Sequence, residues 1–195
     1  METLNIIENV CELILDKNIE KAKEKIENNY KHNFIKYDTR KMSNYEKLKI
    51  YLNDGFIDRY TGKKLLFPNV LRIISIELGK SFPFQKNWKM ADCHIAFWEY
   101  FPTYDHIIPI ARGGKDVSEN IVTTSMIMNS AKSNFLLEEI GFKLFNKGNL
   151  ENWNGMLSWY LQYIKNNEYI LSDKYILNWH NSLLKCINYD KIKII

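Results

Sequence analysis

The sequence predicts an α+β chain in which a short strand, loop, strand and helix module is flanked by amino-terminal and carboxy-terminal α-helices. Three observations carry that reading. Apolar residues recur every three or four positions at both ends of the chain, the spacing of a helix with one buried face. All four prolines, Pro68, Pro83, Pro102 and Pro109, fall within residues 56–147, so short elements and tight turns are expected there. Inside that segment, residues 104–110 alternate as a strand does, and a second short strand and a helix follow within twenty-odd positions.

Taken in order, Leu4, Ile7, Val10, Cys11, Ile14, Ala22 and Ile26 mark an amphipathic helix or a broken pair of them over residues 4–29. The lysines of residues 17–31 read as a solvated face and not a phosphate-binding strip, because Glu20, Glu24 and Glu27 alternate with them. In the middle segment Arg112, Gly113, Gly114 and Lys115 form a loop whose glycines supply positive dihedrals. Asn120, Ile121, Val122 and Thr123 make the second strand, and Thr124 or Ser125 caps a helix running from Met126 to Ser133. Further on, Trp153, Met156, Leu157, Tyr160, Leu161 and Ile164 repeat at helical spacing, and residues 175–187 form another helix. The aromatic stripe of Trp159, Tyr160, Tyr163 and Trp179 is assigned to the core. The divisions are 1–55, an amino-terminal helical region; 56–147, with its core at about 100–135; and 148–195, a carboxy-terminal helical region, together expected to pack as one unit.

With 195 residues, 46% of them hydrophobic and 26% charged, the chain can bury a core without disulfide or metal staples. Cys11, Cys93 and Cys186 lie far apart and form no C-x-x-C pair, which points to a reducing, cytoplasmic setting and away from a zinc-finger pattern. Glu2, Glu8 and Glu12 interrupt the amino terminus where a signal peptide is apolar, and no window is long and apolar enough to span a membrane. The net charge of +4 announces no partner by itself. Its excess lies in residues 56–147, with 12 basic against 9 acidic side chains, Lys63, Lys64, Arg72, Lys80, Lys86 and Lys89 among them. That distribution favours a salt-dependent nucleic-acid partner.

The strand, loop, strand and helix converge Asp105, His106, Asn120 and Asn129 from separate elements. Phosphodiester hydrolysis needs a base to activate water, a cation to balance charge on the phosphate, and a frame that fixes both. A histidine is substantially neutral near pH 7 and accepts a proton. An aspartate carboxylate and an asparagine amide offer hard oxygens suited to hydrated Mg2+ or Mn2+. Adjacent residues on a regular strand face opposite ways, so Asp105 and His106 can serve one site only at the strand edge or through a backbone twist.

These residues resemble the HNH nuclease family, whose fold is a two-stranded hairpin and a helix around one divalent metal, the ββα-metal fold. Asn120 follows His106 by 14 positions, Asn129 follows Asn120 by nine, and Lys132 lies three further on, a spacing similar to the His-Asn-Asn version of the motif. Pro109 and the Gly113, Gly114 pair stand where many members carry a proline and a glycine-rich loop. The resemblance implies that His106 is the general base, that Asp105 and Asn129 hold one Mg2+ or Mn2+, that Asn120 orders the hairpin, and that Lys132 lies near a phosphate. Arg112 and Lys115 are weaker candidates for contacts to a nucleic-acid backbone. Members often carry cysteine pairs for a structural zinc; here Arg59, Tyr60, Thr61 and Gly62 occupy the comparable turn, so no structural zinc is expected. Outside the resemblance, Asn120 also suits a turn, Lys132 a solvated helix face, and His94 a packed or capping position; His32 and His180 read as scaffold.

The function expected on these grounds is a divalent-metal HNH endonuclease cutting double-stranded DNA, a restriction-like defence enzyme being one setting. One site cuts one strand, so cutting both calls for a homodimer or two nicks. The alternatives are a DNA-binding protein that keeps the fold without cutting, a toxin or RNA nuclease, and an interaction protein dominated by its helices.

Overall fold

A computed structural model describes residues 3–32 and 42–190. They form two compact units, 3–32 and 42–190, where composition suggested one. The first is a helical hairpin, α1 (Thr3–Leu15) and α2 (Ile19–Asn29), so the broken pair is the form the amphipathic pattern takes. The break is local: Lys17 adopts φ 56° and the Asn18 N–H closes on the Leu13 carbonyl. Lys23 pairs with Glu20 at 2.9 Å on a solvated face, in keeping with the alternating charges.

The second unit combines helices with one two-stranded sheet, a mixed α and β architecture. It comprises α3 (Asn44–Asn53), α4 (Pro68–Leu78), α5 (Ala96–Tyr100), β1 (Pro102–His106), β2 (Ile121–Ser125), α6 (Met126–Lys132), α7 (Leu157–Asn166) and α8 (Lys174–Tyr189). Starts and stops follow from local chemistry. Ser43 and Glu46 form a reciprocal capping box on α3, Pro68 opens α4, and the Asp173 carboxylate accepts from the Tyr175 and Ile176 N–H groups at the head of α8. Leu48, Tyr51, Phe56, Phe67, Leu71, Leu157, Tyr160, Ile176, Trp179 and Leu183 are buried together as the core. That explains why α3 belongs to this unit and not to the amino-terminal helices: its apolar side chains Leu48, Tyr51 and Leu52 are buried in this core. Tyr160 and Trp179 are core residues as their spacing predicts, while Trp159 and Tyr163 stack on each other at its margin. Among the described residues no helix is long and apolar enough to cross a membrane.

β1 and β2 pair antiparallel in the register Pro102↔Ser125 to His106↔Ile121. Strand β1 ends at His106 and not at Ile110, because Pro109 starts a helical turn over Ile110–Arg112 and cannot donate to a ladder. Every residue of β2 is buried, an unusual state for Thr123, Thr124 and Ser125. Two buried carboxylates account for it. Asp54 accepts from the Thr123 N–H at 2.7 Å and from Arg59 Nη1 at 2.8 Å. Asp58 accepts from the Ser125 N–H at 3.0 Å, the Thr124 hydroxyl at 3.1 Å and the Tyr60 N–H at 2.9 Å. The turn after α3 thus latches the outer edge of the strand that leads into α6.

Candidate functional site

The hairpin loop is held by Asn120. Its side-chain amide accepts from the Ile108 N–H and donates to the Ile108 and Lys115 carbonyls, each at 2.9 Å, so both ends of the loop close on one residue. Gly113 adopts φ 89°, the left-handed region the sequence predicts for it. Gly114 serves a different need: a Cβ there would strike the Ile108 carbonyl and approach the Asn120 amide at 2.9 Å. The glycine pair therefore supplies one turn and one close approach.

Helix α6 begins at Ser125, whose hydroxyl accepts from the Met128 N–H. One turn of it carries Asn129 and Lys132 onto the strand. The Asn129 side-chain amide donates to Thr103 Oγ1 at 3.3 Å and to the Tyr104 carbonyl at 3.2 Å, which fixes its orientation, since a carbonyl only accepts. Both amide hydrogens are then used beside Asp105. Lys132 Nζ lies 2.9 Å from Asp105 Oδ2 and 2.8 Å from the His106 carbonyl, and the lysine has no exposed surface. Lys132 is therefore neither a solvated helix lysine nor an open phosphate contact; helix packing turns it inward onto the carboxylate. Tyr60 donates to the same Asp105 oxygen at 2.7 Å. Burial first, and the Asp105 charge second, push the Tyr60 phenol far above its usual range, so it remains a donor.

His106 has a different set of partners. Its Nε2 lies 3.1 Å from Asp116 Oδ1, and its ring meets Tyr104 edge-on at 6.4 Å. A carboxylate accepts only, so Nε2 carries the hydrogen, and in the neutral imidazole Nδ1 then presents the lone pair. Among the described residues Nδ1 has no hydrogen bond. The Asp105 and His106 side chains thus keep separate partners, as alternation along a strand requires, and His106 is the last residue of β1, where the chain turns away.

The remaining candidates stand apart. Arg112 forms a two-nitrogen pair with Glu139 at 2.7 and 3.3 Å, which also holds the Glu139 carboxyl below its usual range. Its charge is matched internally. Lys115 is exposed, and among the described residues only its carbonyl is used. Among the basic residues of the segment, Arg72 pairs with Asp173 at 2.7 Å and covers the Phe84 ring. His94 both stacks on Phe82, 4.1 Å between centroids, and accepts from the Ala96 N–H at 3.2 Å, the packed and capping roles together. Tyr60, Asp116, Asp54 and Asp58 are the residues that sequence spacing misses.

A hydrated divalent cation fits the donors present. Asp105 Oδ1 and Asn129 Oδ1 carry no hydrogen bond among the described residues and are hard oxygens. A small cation that keeps most of its water needs one or two such ligands from the protein. Among the described residues no group of three His, Cys, Asp or Glu side chains gathers as a metal cage, at this site or any other, so water would supply most of such a cation's ligands. No protein-family model, no curated protein and no solved structure matches the chain.

Proposed function

We propose that this protein is a divalent-metal-dependent endonuclease of the HNH type that hydrolyses DNA phosphodiester bonds. One observation carries the reading: Asn129 spends both amide hydrogens on β1 next to Asp105, so each of these residues keeps a hard oxygen without a hydrogen bond among the described residues, and the residue after Asp105 is a histidine whose Nε2 is held by Asp116. The motif spacing of Asp105, His106, Asn120 and Asn129 supports the same reading.

In this reading Asp105 and Asn129 hold Mg2+ or Mn2+, which when bound polarises the phosphate and offsets charge on the leaving oxygen. His106 takes a proton from the attacking water at Nδ1. The imidazolium so formed keeps its Nε2 hydrogen on Asp116, whose negative charge favours it. Lys132 and Tyr60 hold Asp105 Oδ2 and so orient its other oxygen. Asn120 keeps the loop carrying Asp116 closed over the end of β1.

Supercoiled plasmid incubated with the protein and Mg2+ or Mn2+, beside EDTA and His106→Ala controls, tests this. Nicked or linear product requiring both metal and His106 is the expected result. Cleavage that survives His106→Ala, or cleavage of RNA in place of DNA, overturns it.

A further inference from the structure

One face of α3, the first turns of α8 and the start of β1 enclose a cleft of about 340 Å³, within the range of small-ligand sites. Lys47 and Tyr51 come from α3, Tyr175 and Trp179 from α8, Trp88 from the loop before α5, and Tyr104 from β1. Its aromatic side chains alternate with Asn44, Pro102, Thr103 and Met126, and no acidic side chain lines it.

Four features make this more than a gap in packing. Lys47 lies 6.0 Å from the Tyr104 ring centroid and has no ion pair among the described residues, so the cleft carries one uncompensated positive charge. The Tyr175 hydroxyl is buried, with the Trp179 indole as its polar neighbour and no hydrogen bond of full geometry among the described residues. Trp88 lines the cleft from a left-handed backbone, φ 58°, a conformation that a bulky residue adopts only when its surroundings impose it. Tyr104 belongs to both places: it lines the cleft and its ring abuts His106. Flat aromatic faces, one hydroxyl able to bond a ring edge, and one cation match a nucleobase carrying a phosphate.

We infer that this cleft holds one unpaired nucleotide of the strand to be cut, its base among the aromatic rings and its phosphate toward Lys47. The strand then passes over Tyr104 to His106. The inference rests on the nuclease reading for the identity of its occupant. An enzyme built this way draws a base out of the stack, and a strand already unpaired at that position binds more tightly because the unstacking cost is absent.

The test uses the full-length His106→Ala protein in EDTA, so that binding is read without hydrolysis. Anisotropy of a fluorescein-labelled thymidine hexanucleotide is measured against the same protein with Lys47→Gln or Tyr175→Phe added. Competition with thymidine 5′-monophosphate, thymidine and deoxyribose 5-phosphate identifies which part of a nucleotide is held. The inference expects about tenfold weaker hexanucleotide binding with Lys47→Gln, a smaller loss with Tyr175→Phe, and competition requiring base and phosphate together. Thermal melting of each variant equal to that of the parent shows that folding is retained; Lys47 is half-exposed, with its ammonium over the Tyr104 ring. Hexanucleotide binding unchanged in both variants overturns the inference, and so does competition by deoxyribose 5-phosphate as strong as by the nucleotide. Mononucleotide binding without hexanucleotide binding also overturns it, since the cleft then takes a free nucleotide. Plasmid cleavage by the otherwise native protein is scored separately: cleavage with no cleft binding removes this inference alone, and cleft binding with no cleavage removes the nuclease reading alone.

Discussion

Lys132 Nζ lies 2.9 Å from Asp105 Oδ2, and the lysine side chain is wholly enclosed while the aspartate keeps 13% of its surface exposed. The pair joins the end of α6 to the end of β1, and the lysine also bonds the His106 carbonyl. An enclosed ammonium is tolerated only when a carboxylate and further acceptors surround it. The pair therefore fixes the register of helix on strand, and with it the distance from Asn129 to Asp105.

Replacing Lys132 by Met removes one partner of an enclosed pair. We expect a loss of about 3 kcal/mol, near the lower end for such pairs because Asp105 is partly solvated and retains Tyr60. Urea denaturation measures it. Adding Asp105→Asn to Lys132→Met removes the unpaired charge and should recover part of the loss; a double variant as unstable as the sum of the single changes would sink the account.

Asp116 orients His106 through a 3.1 Å contact on a loop that Asn120 closes. On the proposed nuclease reading, Asp116→Ala should lower plasmid nicking by roughly 10–100-fold while DNA binding in EDTA stays within twofold, because His106 remains but loses its orientation and its counter-charge. Asp116→Asn, which keeps an acceptor but not the charge, should fall between the two. Nicking by Asp116→Ala at the parental rate shows that the loop does not position the base.

Asp58 collects three donors from two segments, the Tyr60 and Ser125 N–H groups and the Thr124 hydroxyl. Asp58→Ala leaves them enclosed and unpaired. At about 1–3 kcal/mol for each such group the expected loss is about 3 kcal/mol or more. Amide hydrogen exchange at Ser125 should accelerate well beyond that at Val122, which bonds within the sheet; uniform acceleration along β2 counts against a local latch.

The parts of this fold legible in the sequence are those set by neighbours along the chain. The 3.6-residue spacing gives α1, α2, α7 and α8. The loop glycines and Ser125 mark where the hairpin turns and where α6 starts. Partners across long separations leave no such trace. Asp58 meets Ser125 67 positions away, and Tyr60 meets Asp105 45 positions away. Neither has a period or spacing that announces it. Arg112 reads as a free loop cation until its pairing with Glu139 is seen. Lys132 reads as solvated until the crossing of α6 on β1 turns it inward. Asp116 is the instructive case, since it lies ten residues from His106 in a loop the sequence does mark. Only the direction of its side chain separates it from Lys115 beside it.

His180 supplies a pH dependence that does not involve the candidate site. Asn69 donates to the Tyr160 hydroxyl at 2.9 Å, and His180 Nδ1 lies 3.1 Å from the same hydroxyl. Burial holds the His180 imidazole below its ordinary value near 6.5. With the folded value depressed, the unfolded chain binds a proton first as pH falls. The contribution to stability is thus complete above the ordinary value and is lost as pH drops through it toward the lower folded value. His180→Asn keeps an acceptor toward Tyr160 and cannot titrate. Urea midpoints recorded between pH 8 and pH 5 should fall more steeply for the parent than for this variant, because every other titratable group is common to both and cancels. Parallel curves for the two proteins would show that His180 contributes nothing to the acid sensitivity.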